Sequence, residues 1–461
     1  MMKHKSVFLA LLGGIIYIWT GTLYISVAYT FFKYYDDITV CLITDCYFAI
    51  LQALGYVFSI VFLKKSKNAL SIWVPIVESL IIFCTGLAAF MSGQPISSVF
   101  WGSFMSFFTG AIMCYAITEI TLNVKFSNRG KAFGLIYAVG SVGSLLLSLL
   151  DGGNALGENF VFVIYGALAV LSSALGLYNY KKNDDSSFKE EEYLDPVKSG
   201  FNKNDAVRIF VIFMFFVLSN IGLHFKISGG SEFESVVLSR AFYAVGLIAA
   251  GFINDRSRKV GALCAFLALG FGLLSPALQV NAGTSVAVQA IAYVFLGLPA
   301  IYRMIIFSDE AEKDHSKFPF VTLGVAAALA GQALGTFMGV WLEKDMMVLV
   351  CVMLILYIIT GGVFFAFFSA LYPNDKKEDM LSETDRKEIA FEKYVKETGL
   401  NVKQAQVLKY LLNGASNGEI AESLFVAEST VKYHVKNILQ ATSCHNRNEL
   451  IEDFRNHYLN S

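Results

Sequence analysis

Charge is what this chain has least of. Asp, Glu, Lys and Arg make up 16% of its 461 residues, against 55% hydrophobic residues and a mean hydropathy of +0.56. Soluble globular domains carry about a quarter charged residues, so an ordinary water-soluble protein is excluded for most of this length. Cysteine patterning is also missing. The seven Cys stand at positions 41, 46, 84, 114, 264, 351 and 444, with no CxxC pair, which argues against a disulfide framework or a zinc site. Cys41 and Cys46 could pair near one face, but isolated buried thiols fit the spacing better. There is no HExxH, no GxSxG and no kinase signature, so no enzyme is expected and no cofactor or metal is implied. Gly140 and Gly143, and Gly331, Gly335 and Gly339 at four-residue spacing, lack the lysine of a phosphate loop and read as close helix packing. The apolar stretch after Lys3 and Lys5 lacks a small-residue cleavage site and reads as a first spanning helix.

What is abundant is hydrophobic length. Twelve segments approach the ~20 residues needed to cross a hydrocarbon core: 7–30, 40–63, 69–91, 96–121, 132–150, 158–179, 208–228, 234–253, 260–279, 284–308, 319–342 and 346–371. In lipid the backbone must satisfy its own hydrogen bonds, so helices are expected. With the N-terminus inside, the inner loops collect Lys64, Lys65 and Lys67; Lys125, Arg129 and Lys131; Lys181 to Arg208; Arg256, Arg258 and Lys259; and Lys313 and Lys317. The outer loops hold only Lys33, Lys226 and Lys344. This bias sets both termini in the cytoplasm.

Ionisable residues inside such spans are costly and face protein or a cavity. Glu78, Arg240 and Arg303 are candidates for a polar ligand pocket, with Tyr24, Trp101, Tyr243 and Tyr302 as walls. Pairing or snorkelling is the alternative reading for each of them.

The polar interval 181–207 divides the spans six and six. Together with the loop Gly251, Asp255, Arg256, Arg258 and Lys259, this layout resembles the major facilitator superfamily. That family carries a G-x-x-x-D-R-x-x-R-K loop between the second and third helices of each half. Asn128 to Gly134 resembles its loop between the fourth and fifth helices. In the first half the paired motif near Gly55 keeps only positive charge. The resemblance implies two six-helix pseudo-repeat bundles, 1–180 and 208–371, whose loop charges latch one half against the other.

After Leu371 the composition changes abruptly. A hydrated connector leads into an amphipathic stretch, 384–398, within a linker spanning 372–399. That stretch either transmits movement from the membrane or packs on the C-terminal module. Residues 400–461 read as four short helices: 403–413 closed by Gly414, 417–424, 428–439 and 447–457. Val407, Leu408, Ile420, Ala421, Leu424, Val431, Val435 and Ile438 fall on inward faces, leaving Thr430, Lys432, Tyr433, Lys436 and Asn437 available for phosphates or base edges. These residues, with His434 and Arg447, resemble the LuxR-type helix-turn-helix family. That resemblance implies promoter DNA as a partner, homodimeric binding, and His434 supporting the helix packing. Ala427 departs from it by replacing the usual hydroxyl cap of the third helix.

The expected protein is all-α: a polytopic membrane bundle followed by a cytoplasmic helix-turn-helix domain in a bacterial cytoplasmic membrane. The expected function is one-component transcription regulation, with a facilitator-like sensor binding a small molecule while seated in membrane lipid. A secondary transporter with a regulatory tail, or a membrane interaction protein that no longer binds DNA, are the alternatives.

Overall fold

The computed structural model describes residues 12–21, 23, 38–65, 73–152, 163–174, 201–221, 232–278, 282–342, 344–372, 383–412, 414–424, 426–442 and 444–459. The connector 181–200, Tyr24 and the start of the linker after Tyr372 lie outside them. All regular structure among the described residues is helical. The chain divides into two units, Met1–Asn374 and Asp375–Ser461.

The first unit contains α1 (Leu12–Gly21), α2 (Ile38–Lys65), α3 (Trp73–Met91), α4 (Pro95–Asn123), α5 (Phe126–Gly152), α6 (Val163–Ala174), α7 (Lys203–Ile221), α8 (Glu232–Arg256), α9 (Arg258–Leu278), α10 (Ala282–Lys313), α11 (Leu323–Leu342) and α12 (Met346–Leu371). Their order follows the twelve apolar segments of the sequence. Seven of the described helices are long and apolar enough to cross a membrane by themselves. Helix α8 packs along α5 and α10. Leu80, Leu267, Leu274 and Ile358 lie with more than half of their surface open, as side chains facing acyl chains do.

Two halves are joined reciprocally: α5 lies along α8, and α2 lies along α11. Glycine contacts repeat from half to half. At the α2–α4 crossing, a Cβ on Gly55 would sit 1.9 Å from the Phe107 carbonyl oxygen. At the α8–α10 crossing, one on Gly246 would sit 2.0 Å from that of Val294. Both are second-to-fourth helix contacts within a half, so the same backbone approach was built twice. Gly331, Gly335 and Gly339 let α11 close on α7 through the carbonyls of Phe213, Val217 and Ile221.

The second unit holds α13 (Glu383–Glu397), α14 (Val402–Leu412), α15 (Asn417–Leu424), α16 (Glu428–Ala441) and α17 (Arg447–Leu459). The amphipathic helix α13 packs on the module. Tyr394 is buried in the same core as Val407, Leu408, Ile420, Val431, Ile438 and Leu450, and its hydroxyl donates to Asp453 at 2.5 Å. Burial and that carboxylate both push the Tyr394 phenol well above its ordinary range.

Candidate functional site

In the tail unit, local rules place the exposed groups. Helix α14 ends at Gly414, whose φ of 85° is open to glycine at little cost. The Ala415 amide then donates to the Tyr410 carbonyl. Arg447 ties α17 to this corner by donating Nη2 to the carbonyls of Leu411 and Ala415, at 3.1 and 2.8 Å. Helix α15 opens with a reciprocal cap. The Ser416 amide donates to Glu419, and the Glu419 amide donates to the Ser416 hydroxyl. These bonds hold the Glu419 carboxyl below the usual carboxylate range. Asn401 with Gln404, and Asn446 with Glu449, cap α14 and α17 in related ways.

Helix α16 is held differently. Val431 and Ile438 are fully buried, Val435 packs against the core, and Leu424 on α15 closes the turn from the other side. Ala421 is buried and His434 is half-buried beside Tyr433. Thr430, Lys432, Tyr433 and Lys436 are exposed, and Asn437 is half-buried. Lys432 pairs with Glu428 at 2.9 Å while both remain more than half exposed. A shallow groove runs past Asn417, Lys432, Val435 and Lys436. A helix anchored along one side, with cations and a phenol on the other, can lie in a major groove.

In the membrane unit the motif loop is a hub. The Asp255 carboxylate accepts from the amides of Gly130 and Lys131 at 2.7 and 2.9 Å, near the positive end of α5. Gly251 lets α8 come this close, since a Cβ there would lie 2.6 Å from the Gly130 oxygen. Arg258 donates to Asp255, to Asp309 at 2.7 Å, and across the halves to the Phe126 carbonyl at 2.7 Å. Asp309 is shared: Arg129, only 2% exposed, donates to its other oxygen at 2.8 Å and to Glu312 at 2.7 Å. Arg256 is exposed, and Lys259 lies over the Phe368 ring at 5.7 Å. Arg129 and Asp309 appear in sequence only as loop charges. Their convergence on one carboxylate needs three dimensions.

The candidate pocket residues separate. Arg303 is buried on α10, with its guanidinium 4.6 Å from the Phe216 ring centre. It lies within electrostatic reach of Tyr137, Tyr56 and Tyr243. Tyr17 packs on Tyr137 with ring centres 4.5 Å apart. Nothing in the sequence singles out Tyr17, Tyr56 and Tyr137 as neighbours of this arginine. Glu78 is buried but neighbours Cys114. Tyr302 turns away from Arg303, and its hydroxyl accepts from that of Tyr372 at 2.8 Å. Trp101 packs with Phe100 and Phe104 on an open face and is not brought to Arg303. The Arg240 side chain and Tyr24 lie outside the described residues.

Residues 399–453 match the family model of bacterial regulatory proteins, luxR family. The chain is 40% identical over 60 residues to the Fimbriae Z protein of Salmonella typhimurium, covering 13% of this chain and 29% of that one. It is 33% identical over 78 residues to the transcriptional regulatory protein DegU of Brevibacillus brevis, covering 16% and 33%. The chain thus spans about a third of the length of these relatives. The fold of the membrane unit is similar to crystal structures of the E. coli fucose:proton symporter, FucP. One matches with a TM-score of 0.56 at 12% identity, covering 81% of this chain and all of the other. A second, in an outward conformation, matches with a TM-score of 0.53 at 12% identity, covering 79% of this chain and 99% of the other. The protein is a multi-pass membrane protein of facilitator fold that carries a LuxR-type helix-turn-helix domain.

Proposed function

We propose that this protein is a one-component transcription regulator of the bacterial cytoplasmic membrane, with both termini inside. A small molecule bound in the facilitator-type bundle governs promoter binding by residues 400–461 acting as a dimer. One observation carries the reading: a complete LuxR-type module with an exposed recognition face shares a chain with a membrane unit in which a single helix links core, latch and exit. Helix α10 presents Arg303 to the core and Asp309 to the charge hub. Tyr302 on the same helix holds Tyr372, at the end of the unit from which the chain continues to the tail. Pro299 lies one turn before Arg303 and removes one backbone hydrogen bond, a natural place for α10 to bend.

A ligand shifts such a bundle only if it binds one conformation better than another. Closure of the hub around Asp309 defines one of these conformations, and its opening would define the other. Thr430, Lys432, Tyr433, Lys436 and Asn437 would contact DNA. Six cations in the module are offset by nearby acidic residues, so one copy binds weakly, and pairing raises affinity through effective concentration. Sequence positions alone suggest why the first half does not repeat the latch motif. Counting from Gly55 as from Gly246 sets Lys64 where Asp255 stands, and a cation cannot stabilise a helix N-terminus.

The test is genome-wide crosslinking and capture of the full-length protein in its own cells, beside a Lys432→Ala/Lys436→Ala double variant. Discrete promoter peaks that vanish in the variant support regulation. Their absence at normal membrane levels moves the reading to transport, which the facilitator fold and its inter-half latch favour. Solute flux into vesicles holding tail-deleted protein tests that alternative.

A further inference from the structure

We infer that Arg303 anchors the carboxylate of a small monoanionic ligand held between the two halves of the membrane unit. This deepens the sensor reading and rests on it. The buried arginines differ in how they are satisfied. Arg129 and Arg258 each have two carboxylates. Arg303 is 8% exposed, with the Phe216 ring face beside it and the Tyr137 phenol within electrostatic reach. Its Nε has no hydrogen-bond partner, as is true of Arg129, but no described carboxylate pairs with the rest of the Arg303 guanidinium. A guanidinium in the middle of a bilayer-spanning bundle is expensive, and such groups mark ligand or ion paths. Neither Tyr137 nor Phe216 cancels its charge.

Among the described residues Glu78 is the buried acid with an unpartnered oxygen, and it neighbours Cys114. No carboxylate among the described residues pairs with Arg303, and a bound anion would supply that counter-charge. A guanidinium presents parallel N–H donors that fit a carboxylate. A single cation neutralises a monoanion, whereas a dianion would leave net charge buried. The surroundings add a body site. Tyr56 and Tyr137 come from the first half, while Phe216, Tyr243 and Arg303 come from the second. A ligand on Arg303 touches both halves and can report their separation.

The experiment uses full-length protein in lipid nanodiscs. Its thermal unfolding midpoint is titrated with lactate and benzoate, with lactamide and benzamide as neutral isosteres, and with phthalate as a dianion. At least one monocarboxylate should raise the midpoint saturably while its amide and phthalate do not. Arg303→Met should weaken that binding at least tenfold, and Arg303→Lys should retain part of it. Without ligand, Arg303→Met should unfold no earlier than the parent, since it removes an uncompensated charge. Equal response to acid and amide, retained affinity in Arg303→Met, no response to either monocarboxylate, or a lowered ligand-free midpoint overturns the assignment. Promoter occupancy measured in parallel separates the two readings. Arg303-dependent binding that leaves occupancy unchanged keeps the site and discards ligand-controlled regulation.

Discussion

Charged side chains do opposite work in the two units. In the membrane unit Arg129, Arg258, Asp255 and Asp309 are buried and share one another's hydrogen bonds. In the tail, Lys432 and Lys436 stand open on α16, with only the exposed Glu428 beside the first. Buried pairs of this kind fix a conformation, because separating them strands a charge. Exposed ones are worth little to the fold and remain free for a polyanion. Arg303 breaks the pattern: it is buried like the first group, yet no carboxylate among the described residues pairs with it.

The sharpest way to break this comparison is through the backbone contacts on which the membrane helices close. Gly55→Val should abolish folded protein, since its Cβ alone would overlap the Phe107 carbonyl, and a monodisperse elution peak at parental yield would refute the close crossing. Asp309→Asn should come next. It removes the charge shared by Arg129 and Arg258, at a cost of about 3–5 kcal/mol for a broken buried pair. Faster hydrogen exchange at the start of α5 and a lower unfolding midpoint are the expected signs. Unchanged protection there would mean that the hub does not hold the halves together. In the tail, Lys432→Ala/Lys436→Ala should leave the unfolding midpoint unchanged. The salt dependence of DNA binding should become shallower by about one unit of slope for each phosphate left without its lysine, read by fluorescence anisotropy. A fall in stability instead would place these lysines in the fold.

The two units also differ in how far their sequences can be read. The tail is built from local signals: Ser416 and Glu419 three residues apart, Gly414 after an apolar helix, Val431 and Ile438 on one face. Each is settled within a turn or two of chain, and the helices fall where those signals put them. Helix α13 is ambiguous from sequence, because an amphipathic stripe announces a partner without naming it. In the membrane unit the apolar lengths give the helices and their order, but not which side of each helix faces inward. Tyr302 and Arg303 are neighbours in sequence and about 100° apart around α10, so one meets Tyr372 and the other Tyr137. Trp101 has the chemistry of a wall residue, yet its side of α4 carries Phe100 and Phe104 outward. Tyr17, Tyr56 and Tyr137 carry no sequence mark that separates them from other tyrosines at a membrane interface.

The smallest effect tests whether α16 is specialised for its partner at the expense of its own stability. Helices α14, α15 and α17 open with side-chain caps, whereas Ala427 at the start of α16 provides none. Thr430 and Val431 donate to the Ala427 carbonyl, which leaves the earlier amides to water or to a phosphate. Ala427→Ser should stabilise the free helix by about 1 kcal/mol, seen as roughly fivefold slower amide exchange in α16. If a DNA phosphate takes those amides in the complex, the serine competes with it, and affinity should rise by less than the free-state gain or not at all. An affinity gain equal to the stability gain would show that the cap and the phosphate do not share donors. The bare start of α16 would then be a loss of stability without a return in binding, and the contrast between a satisfied membrane hub and an open recognition helix would rest on the lysines alone.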